Sequence, residues 1–372
     1  MSATETKTIP IFDTSAEVHA LLPKLMTTIE EVLKSGRFIL GPETKQFEAE
    51  AAECLGVKHA IGVNSGTDAL MIGMRTLGVA PGDEVITSPF SFFASAESIS
   101  CIGAKPVFVD VDLDSMNLDP AKVEAAITPK TKAIMPVHIF GRPAEMGPIM
   151  EVAGLHGLKV IEDCAQSFGA DIDGRFTGGI GHVGAFSFYP TKNLGAYGDG
   201  GLITTDDDDI AQQSRKLREH GSLIRYANEE LGYNSRLDSL QAAILRIKLP
   251  LTEGYNLARR RLAGRYRDGL TGTSDVICPE VTPGHVFHQY TVRVTNGRRD
   301  AVAARMRELG VSTMIYYPVP QDRLPVYAGQ YPRFANSDLL SEQVLSLPMW
   351  PRMDDPTQDH VIACLKRALA EA

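Results

Sequence analysis

Residues 158–170, LKVIEDCAQSFGA, set a short apolar run directly against the polar residues Glu162, Asp163 and Gln166. The run follows AEMGPIMEVAGLHG (144–157), whose apolar residues recur at helical spacing and which ends on glycine. A helix feeding a four-residue apolar strand is half of a βαβ unit, and the unit repeats outward in both directions. KHAIGV (58–63), DEVITS (83–88), KPVFVDV (105–111), KAIMPVH (132–138), GAFSF (184–188) and GLITT (201–205) are the other strands, with ALMIGMRTLG (69–78) among the intervening helices. Strands buried on both faces and joined by helical crossovers predict an α/β fold, a mostly parallel seven-stranded sheet flanked by helices.

Upstream, VHALLPKLMTTIEEVLKSG (18–36) and GPETKQFEAEAAECLG (41–56) read as two helices packing beside the sheet and bordering the cleft. Downstream, DDDDIAQQSRKLREHG (206–221) reads as an amphipathic helix with a solvated acidic start. The pattern LDSLQAAILRIKLP (237–250) then runs into Pro250. We divide the chain there: 1–248 as a large α/β unit with the helical segment at its front, and 249–372 as a smaller α+β unit. The smaller unit is expected to hold a strand, HQYTVRVT (288–295), a helix, RDAVAARMRELG (299–310), an extended run, VSTMIYYPVP (311–320), and a last helix, QDHVIACLKRALA (358–370).

With 372 residues and 44% hydrophobic content the chain can bury a large core unaided. A formal net charge of −9 opposes a nucleic-acid or anionic-membrane surface, either of which needs a basic footprint. The five cysteines are scattered, with no CxxC pair, so neither zinc nor any other metal is expected. MSATETKTIP has no basic region followed by an apolar run, which predicts a cytoplasmic enzyme without export signal or membrane span.

In open α/β sheets ligands sit at the carboxyl ends of the strands. Four such ends carry chemistry. At the first, Ser65, Gly66 and Thr67 lead from strand to helix, and N–H groups at that helix start suit a phosphate dianion, although a serine there is often only an N-cap. At the second, the strand delivers Glu162, Asp163 and Gln166 into the cleft, where a carboxylate pairs with a cationic ring nitrogen, unless Asp163 merely caps the next turn. At the third, in GAFSFYPTKNLGAYGDGG (184–201), Lys192 is the one lysine; buried, it would lose its proton near neutral pH and attack an aldehyde. Ser187 and the glycines of that loop favour close backbone approach to a ligand. At the fourth, Phe90, Phe92 and Phe93 are either core or a flat platform for a ring.

The ordered set SGTDAL (65–70), SFFAS (91–95), EDCAQSFGA (162–170), SFYPTKNLGAYGDGG (187–201) and GYNSRLDSLQAAIL (232–245) resembles the DegT/StrS sugar aminotransferases, enzymes of fold type I that use pyridoxal 5′-phosphate (PLP). The match runs from about Gly36 to YYPVP near residue 320. The resemblance implies that Lys192 holds PLP as a Schiff base and shuttles the proton, that Asp163 holds the pyridine nitrogen, and that Gln166 holds the phenolic oxygen. Ser65, Gly66, Thr67 and Ser187 would take the phosphate, and Phe92 would stack on the ring. Asn234 would reach the phosphate of a neighbouring subunit, so a homodimer with shared sites is implied, and Arg236, Tyr316 and Tyr317 would meet the substrate. The implied reaction moves an amino group from L-glutamate to a nucleotide-linked ketosugar in amino-sugar biosynthesis, C3 being favoured over C4. Many such relatives carry histidine where this chain has Tyr316, which weighs against a substrate carboxylate at that point. Sugar dehydratases of the family lack the lysine, and its regulatory or sensory members need none, so Lys192 argues against both.

Overall fold

The computed structural model describes residues 8–372. Two helices come first, α1 (Ser15–Ser35) and α2 (Pro42–Leu55), each closed by a glycine in the left-handed region, Gly36 at φ 64° and Gly56 at φ 64°. The strands β1 (His59–Val63), β2 (Glu84–Thr87), β3 (Lys105–Phe108), β4 (Thr131–Met135) and β5 (Lys159–Asp163) follow, interleaved with α3 (Gly66–Thr76), α4 (Ala94–Cys101) and α5 (Met146–His156). A two-stranded hairpin, β6 (Asp171–Ile172) and β7 (Arg175–Phe176), precedes β8 (Val183–Ser187) and β9 (Gly201–Thr205), after which come α6 (Asp208–Arg218) and α7 (Ser239–Lys248). The large sheet has seven strands in the order β1-β9-β8-β5-β4-β2-β3, and only β9 runs against the rest. The expected fold class is the observed one.

Successive residues of each strand face opposite layers, which is why these strands read as unbroken apolar runs. Val85, Ala133 and Ile161 join the core under α3, α4 and α6, whereas Ile86, Ile134 and Val160 join the core under α5. On that second face α2 and α7 cover the β1–β9–β8 side through Phe47, Leu55, Phe186 and Leu245. Helices α1 and α2 pack on α7, and α2 also on β1. Neither contributes a residue to the cleft lining, contrary to the expectation that they border it.

Beyond a 3₁₀ turn at Leu249–Leu251, α8 (Thr252–Leu270), β10 (Val276–Ile277), β11 (Tyr290–Val294), α9 (Arg299–Glu308), α10 (Ala335–Gln343), β12 (Val344–Leu347) and α11 (Asp355–Glu371) surround a second core containing Tyr266, Phe287, Tyr290 and Leu365. Its antiparallel sheet runs β10-β11-β12. The run 311–320, expected to be extended, is irregular apart from single bridges at Val311 and Met314. The missing partner strand is VLSL (344–347), too short and featureless to stand out from the helix before it. The irregular run crosses back to the large sheet and delivers Tyr316 and Tyr317 to the cleft.

Candidate active site

A cavity of about 640 Å³ opens at the carboxyl ends of β1, β2, β4, β5 and β8, and His288 and Gln289, just before β11, close it from the other side with Tyr316 and Tyr317. Ser65, Gly66, Thr67, Phe92, Asp163, Gln166, Ser187, Lys192, Tyr316 and Tyr317 all line it. Asn234 and Arg236 do not; Asn234 is exposed, and Arg236 makes no ion pair with Asp238.

The phosphate end is assembled by β9. Gly201 pairs with Val63 on one side and Ser187 on the other, drawing the β1–α3 turn against the end of β8. Gly66 opens α3 with no room for a side chain, since an ideal Cβ there would fall 2.8 Å from Ser187 Cβ. The Ser65 hydroxyl accepts from Asp68 N at 3.1 Å, so Ser65 is an N-cap and its hydroxyl can still donate. The N–H groups of the first turn of α3 remain aimed past it toward the cavity, where the helix dipole favours an anion.

The opposite end is set by the strand period. Asp163 shares the face of Ile161, where Ser95 of α4 donates to its Oδ2 at 2.8 Å; Ala165 N reaches its Oδ1 at 3.2 Å. Both readings of Asp163, cleft carboxylate and turn cap, therefore hold together. Glu162 does not enter the cleft as expected, because it shares the opposite face with Val160. It accepts from His138 Nε2 at 3.0 Å and from the backbone of Gly178, Ile180 and Gly181 at 2.7–3.0 Å. His138 Nδ1 accepts from Ala144 N at 2.9 Å, which puts the ring proton on Nε2 and fixes the pair. With Cys164 these groups bring three ligand-type atoms within 4.8 Å of one another, but both oxygens of Glu162 are already saturated by donors.

Burial drives the Lys192 ammonium down from 10.5 to about 8, against the pull of the Asp163 carboxylate. Burial raises Asp163 in turn, while Ser95, Ala165 N–H and Lys192 oppose the rise. Gln166 Oε1 accepts from Phe140 N at 2.6 Å and its Nε2 donates to the Tyr317 hydroxyl at 3.1 Å, leaving one amide hydrogen free. Phe90 is core, whereas Phe92 is 58% exposed, with its ring 6.1 Å from that of Tyr317. The lining also holds residues unmarked in the sequence: Ser91, Ser95, Tyr189, Thr191, Asp199, His288 and Gln289. HQYT was read only as the start of a strand, and nothing in its local pattern tells a cavity wall from a core strand.

The model of the DegT/DnrJ/EryC1/StrS aminotransferase family matches residues 22–366. The chain belongs to that family. It is 46% identical over 364 residues to a "Pleiotropic regulatory protein" of Geobacillus stearothermophilus, covering 95% of this chain and 96% of the relative. It is 45% identical over 369 residues to UDP-N-acetyl-3-dehydro-alpha-D-glucosamine 3-aminotransferase of Acidithiobacillus ferrooxidans, covering 98% and 99%. Among solved structures, S. venezuelae DesV in complex with a ketimine intermediate superposes with TM-score 0.95 at 43% identity, covering 98% of this chain and 99% of that one. Bacillus subtilis NtdA, solved with bound PMP, superposes at 0.89 with 33% identity, covering 94% and 82%.

The protein is a PLP-dependent sugar aminotransferase of this family, and its residues fit that cofactor. A glycine cradle at a helix N-terminus suits the phosphate, a buried carboxylate suits the ring nitrogen, and a lysine that loses its proton near neutral pH suits the aldehyde.

Proposed function

We propose that this protein transfers the amino group of L-glutamate to the C3 keto carbon of a nucleotide-linked ketosugar, as a cytoplasmic homodimer serving amino-sugar biosynthesis. The observation that carries the reading is the Lys192 amine, poised near neutral pH beside Asp163 in a cavity walled by the phosphate turn. The C3 assignment draws on near-full-length relatives named for 3-amino or 3-dehydro sugars, from Acidithiobacillus ferrooxidans and, at 43% identity, Streptomyces venezuelae. All five cysteines are free, which suits a reducing compartment. Among the described residues no helix is long and apolar enough to cross a membrane.

Bound PLP supplies the electron sink. The Asp163 carboxylate would hold the ring nitrogen, the free amide hydrogen of Gln166 would serve the phenolic oxygen, and Phe92 would stand over the ring. Thr67, Ser187 and the N–H groups of α3 would hold the phosphate, with Ser65 bracing the turn. The Lys192 amine would take the proton from the donor Cα and, in the second half, deliver a proton to the sugar C3. Asn234 and Arg236, outside this protomer's cavity, would serve the partner's site. Turnover is ping-pong.

Two relatives carry regulatory or sensory names. A binding protein has no use for a lysine held near its titration point. The test is spectroscopic: L-glutamate bleaches the yellow holoenzyme, and a nucleotide-linked 3-ketosugar restores the colour. Colour that glutamate never bleaches would sink the aminotransferase reading, and restoration by 4-ketosugars alone would sink the C3 assignment.

A further inference from the structure

The segment just before β11 puts one hydrogen-bond acceptor on the cavity wall that no described residue uses. It is fixed by a chain of amides whose polarity is set at its ends. Asn256 Nδ2 donates to the Phe168 carbonyl at 3.0 Å, so Asn256 Oδ1 faces Asn193 and accepts from its Nδ2 at 2.8 Å. Asn193 Nδ2 also donates to the Val286 carbonyl at 3.1 Å, and its Oδ1 is thereby turned to His288 Nδ1 at 3.2 Å. Carbonyl oxygens only accept, so His288 must carry its proton on Nδ1, and Nε2 presents a lone pair with no partner in the protein. His288 is 7% exposed and lines the cavity. Burial, with Lys192 and Arg259 nearby, holds the ring well below its ordinary pKa, so it stays a neutral acceptor.

The next residue offers no second one: the side-chain amide of Gln289 lies against the Tyr316 hydroxyl, and its Oε1 is fully buried with no surface from which to meet a ligand. Among the described residues of this protomer, Lys192, Asp163 and Asp199 are the charged members of the cavity lining, and Lys192 is committed to chemistry. A buried acceptor without a donor is destabilising, and a ligand hydroxyl relieves it. A ligand carboxylate set against the same atom would meet a lone pair.

Resting on the aminotransferase reading above, we propose that His288 Nε2 forms the specificity wall for the acceptor sugar. It accepts a hydrogen bond from a hydroxyl on a carbon flanking the keto group and favours a hydroxyl over a carboxylate at that edge.

The test compares kcat/KM of the holoenzyme for a nucleotide-linked 3-ketosugar bearing both flanking hydroxyls, for analogues lacking one or the other, and for the corresponding uronate. Loss of a hydroxyl bond to a buried acceptor is expected to lower kcat/KM about 10- to 100-fold for at least one deoxy analogue. His288→Phe should collapse that ratio toward unity. His288→Gln, whose amide oxygen can stand where Nε2 stood, should restore part of it. A purely structural role would lower all substrates together and leave the ratio unchanged, which would overturn the proposal. So would a wild-type preference for the uronate. If the wild type, once bleached by glutamate, is restored by no nucleotide-linked ketosugar, the proposed function falls as well. An unchanged ratio in an enzyme that does use such sugars removes only the specificity wall.

Discussion

Replacing Gly66 by alanine tests the phosphate cradle at its tightest point. The new Cβ would lie 2.8 Å from Ser187 Cβ, 3.2 Å from Ser187 Cα and 3.4 Å from the Phe186 carbonyl oxygen. Carbon atoms pack at about 3.5–4.0 Å, so α3 must retreat by roughly 1 Å. Ser187 cannot yield instead, because it ends a strand held between β5 and β9, and its Cα is part of the obstacle. Overpacking of this kind costs about 1–3 kcal/mol. The retreat withdraws the first N–H groups of α3 from the phosphate, so PLP affinity should fall about 5- to 100-fold. The control is Gly154→Ala, in the exposed last turn of α5 with nothing within 4 Å. There alanine should stabilise by about 0.5–1 kcal/mol and leave PLP binding alone. Titration of apo-protein with PLP and urea unfolding of both variants read the two effects. A Gly66→Ala protein that binds PLP like wild type and unfolds at the same urea concentration would refute the close approach of α3 to β8.

Lys192 should capture PLP in apo-protein at a rate that rises with pH through about 8, the amine being the reactive form, and Asp163→Asn should move that midpoint lower by removing the carboxylate that holds the ammonium. A midpoint above about 10, where ordinary lysines titrate, would contradict the burial argument. Glu162 is the acid-sensitive element of the fold. Burial alone would raise its carboxyl, but His138 and the N–H groups of Gly181 and Gly178 override it and hold the group low. A lowered carboxyl stabilises fully above the unfolded value near 4 and loses that contribution as pH falls through the folded value. Glu162→Gln, which turns an amide nitrogen toward buried donors, should therefore lower neutral-pH stability by about 1–3 kcal/mol and flatten the acid limb of the stability profile, measured as urea midpoints across pH. An equally steep acid limb in the variant would assign the acid sensitivity to other groups.

Much of this protein was legible from local pattern alone. The seven strands announce themselves because burial on both faces demands unbroken apolar runs, and Lys192, Asp163 and the Ser65–Thr67 turn follow because they stand where such runs stop. Chain-local signals also delivered the helix ends at Gly36 and Gly56. Sidedness and long-range assembly required the tertiary structure. Glu162 and Asp163 are neighbours of like chemistry, and only the packed sheet, sending alternate residues to opposite layers, makes one a structural staple and the other a cleft carboxylate. β12 escaped notice because its apolar residues match the helix before it, and the run carrying Tyr316 and Tyr317 is irregular because it bridges two cores instead of joining a sheet. His288 and Gln289 sit in a stretch that reads as the start of an ordinary strand. What fixes His288 as a cavity acceptor is an amide chain running through Asn193 and Asn256, residues 63 apart in sequence, and a constraint closed over that distance leaves no periodic trace along the chain.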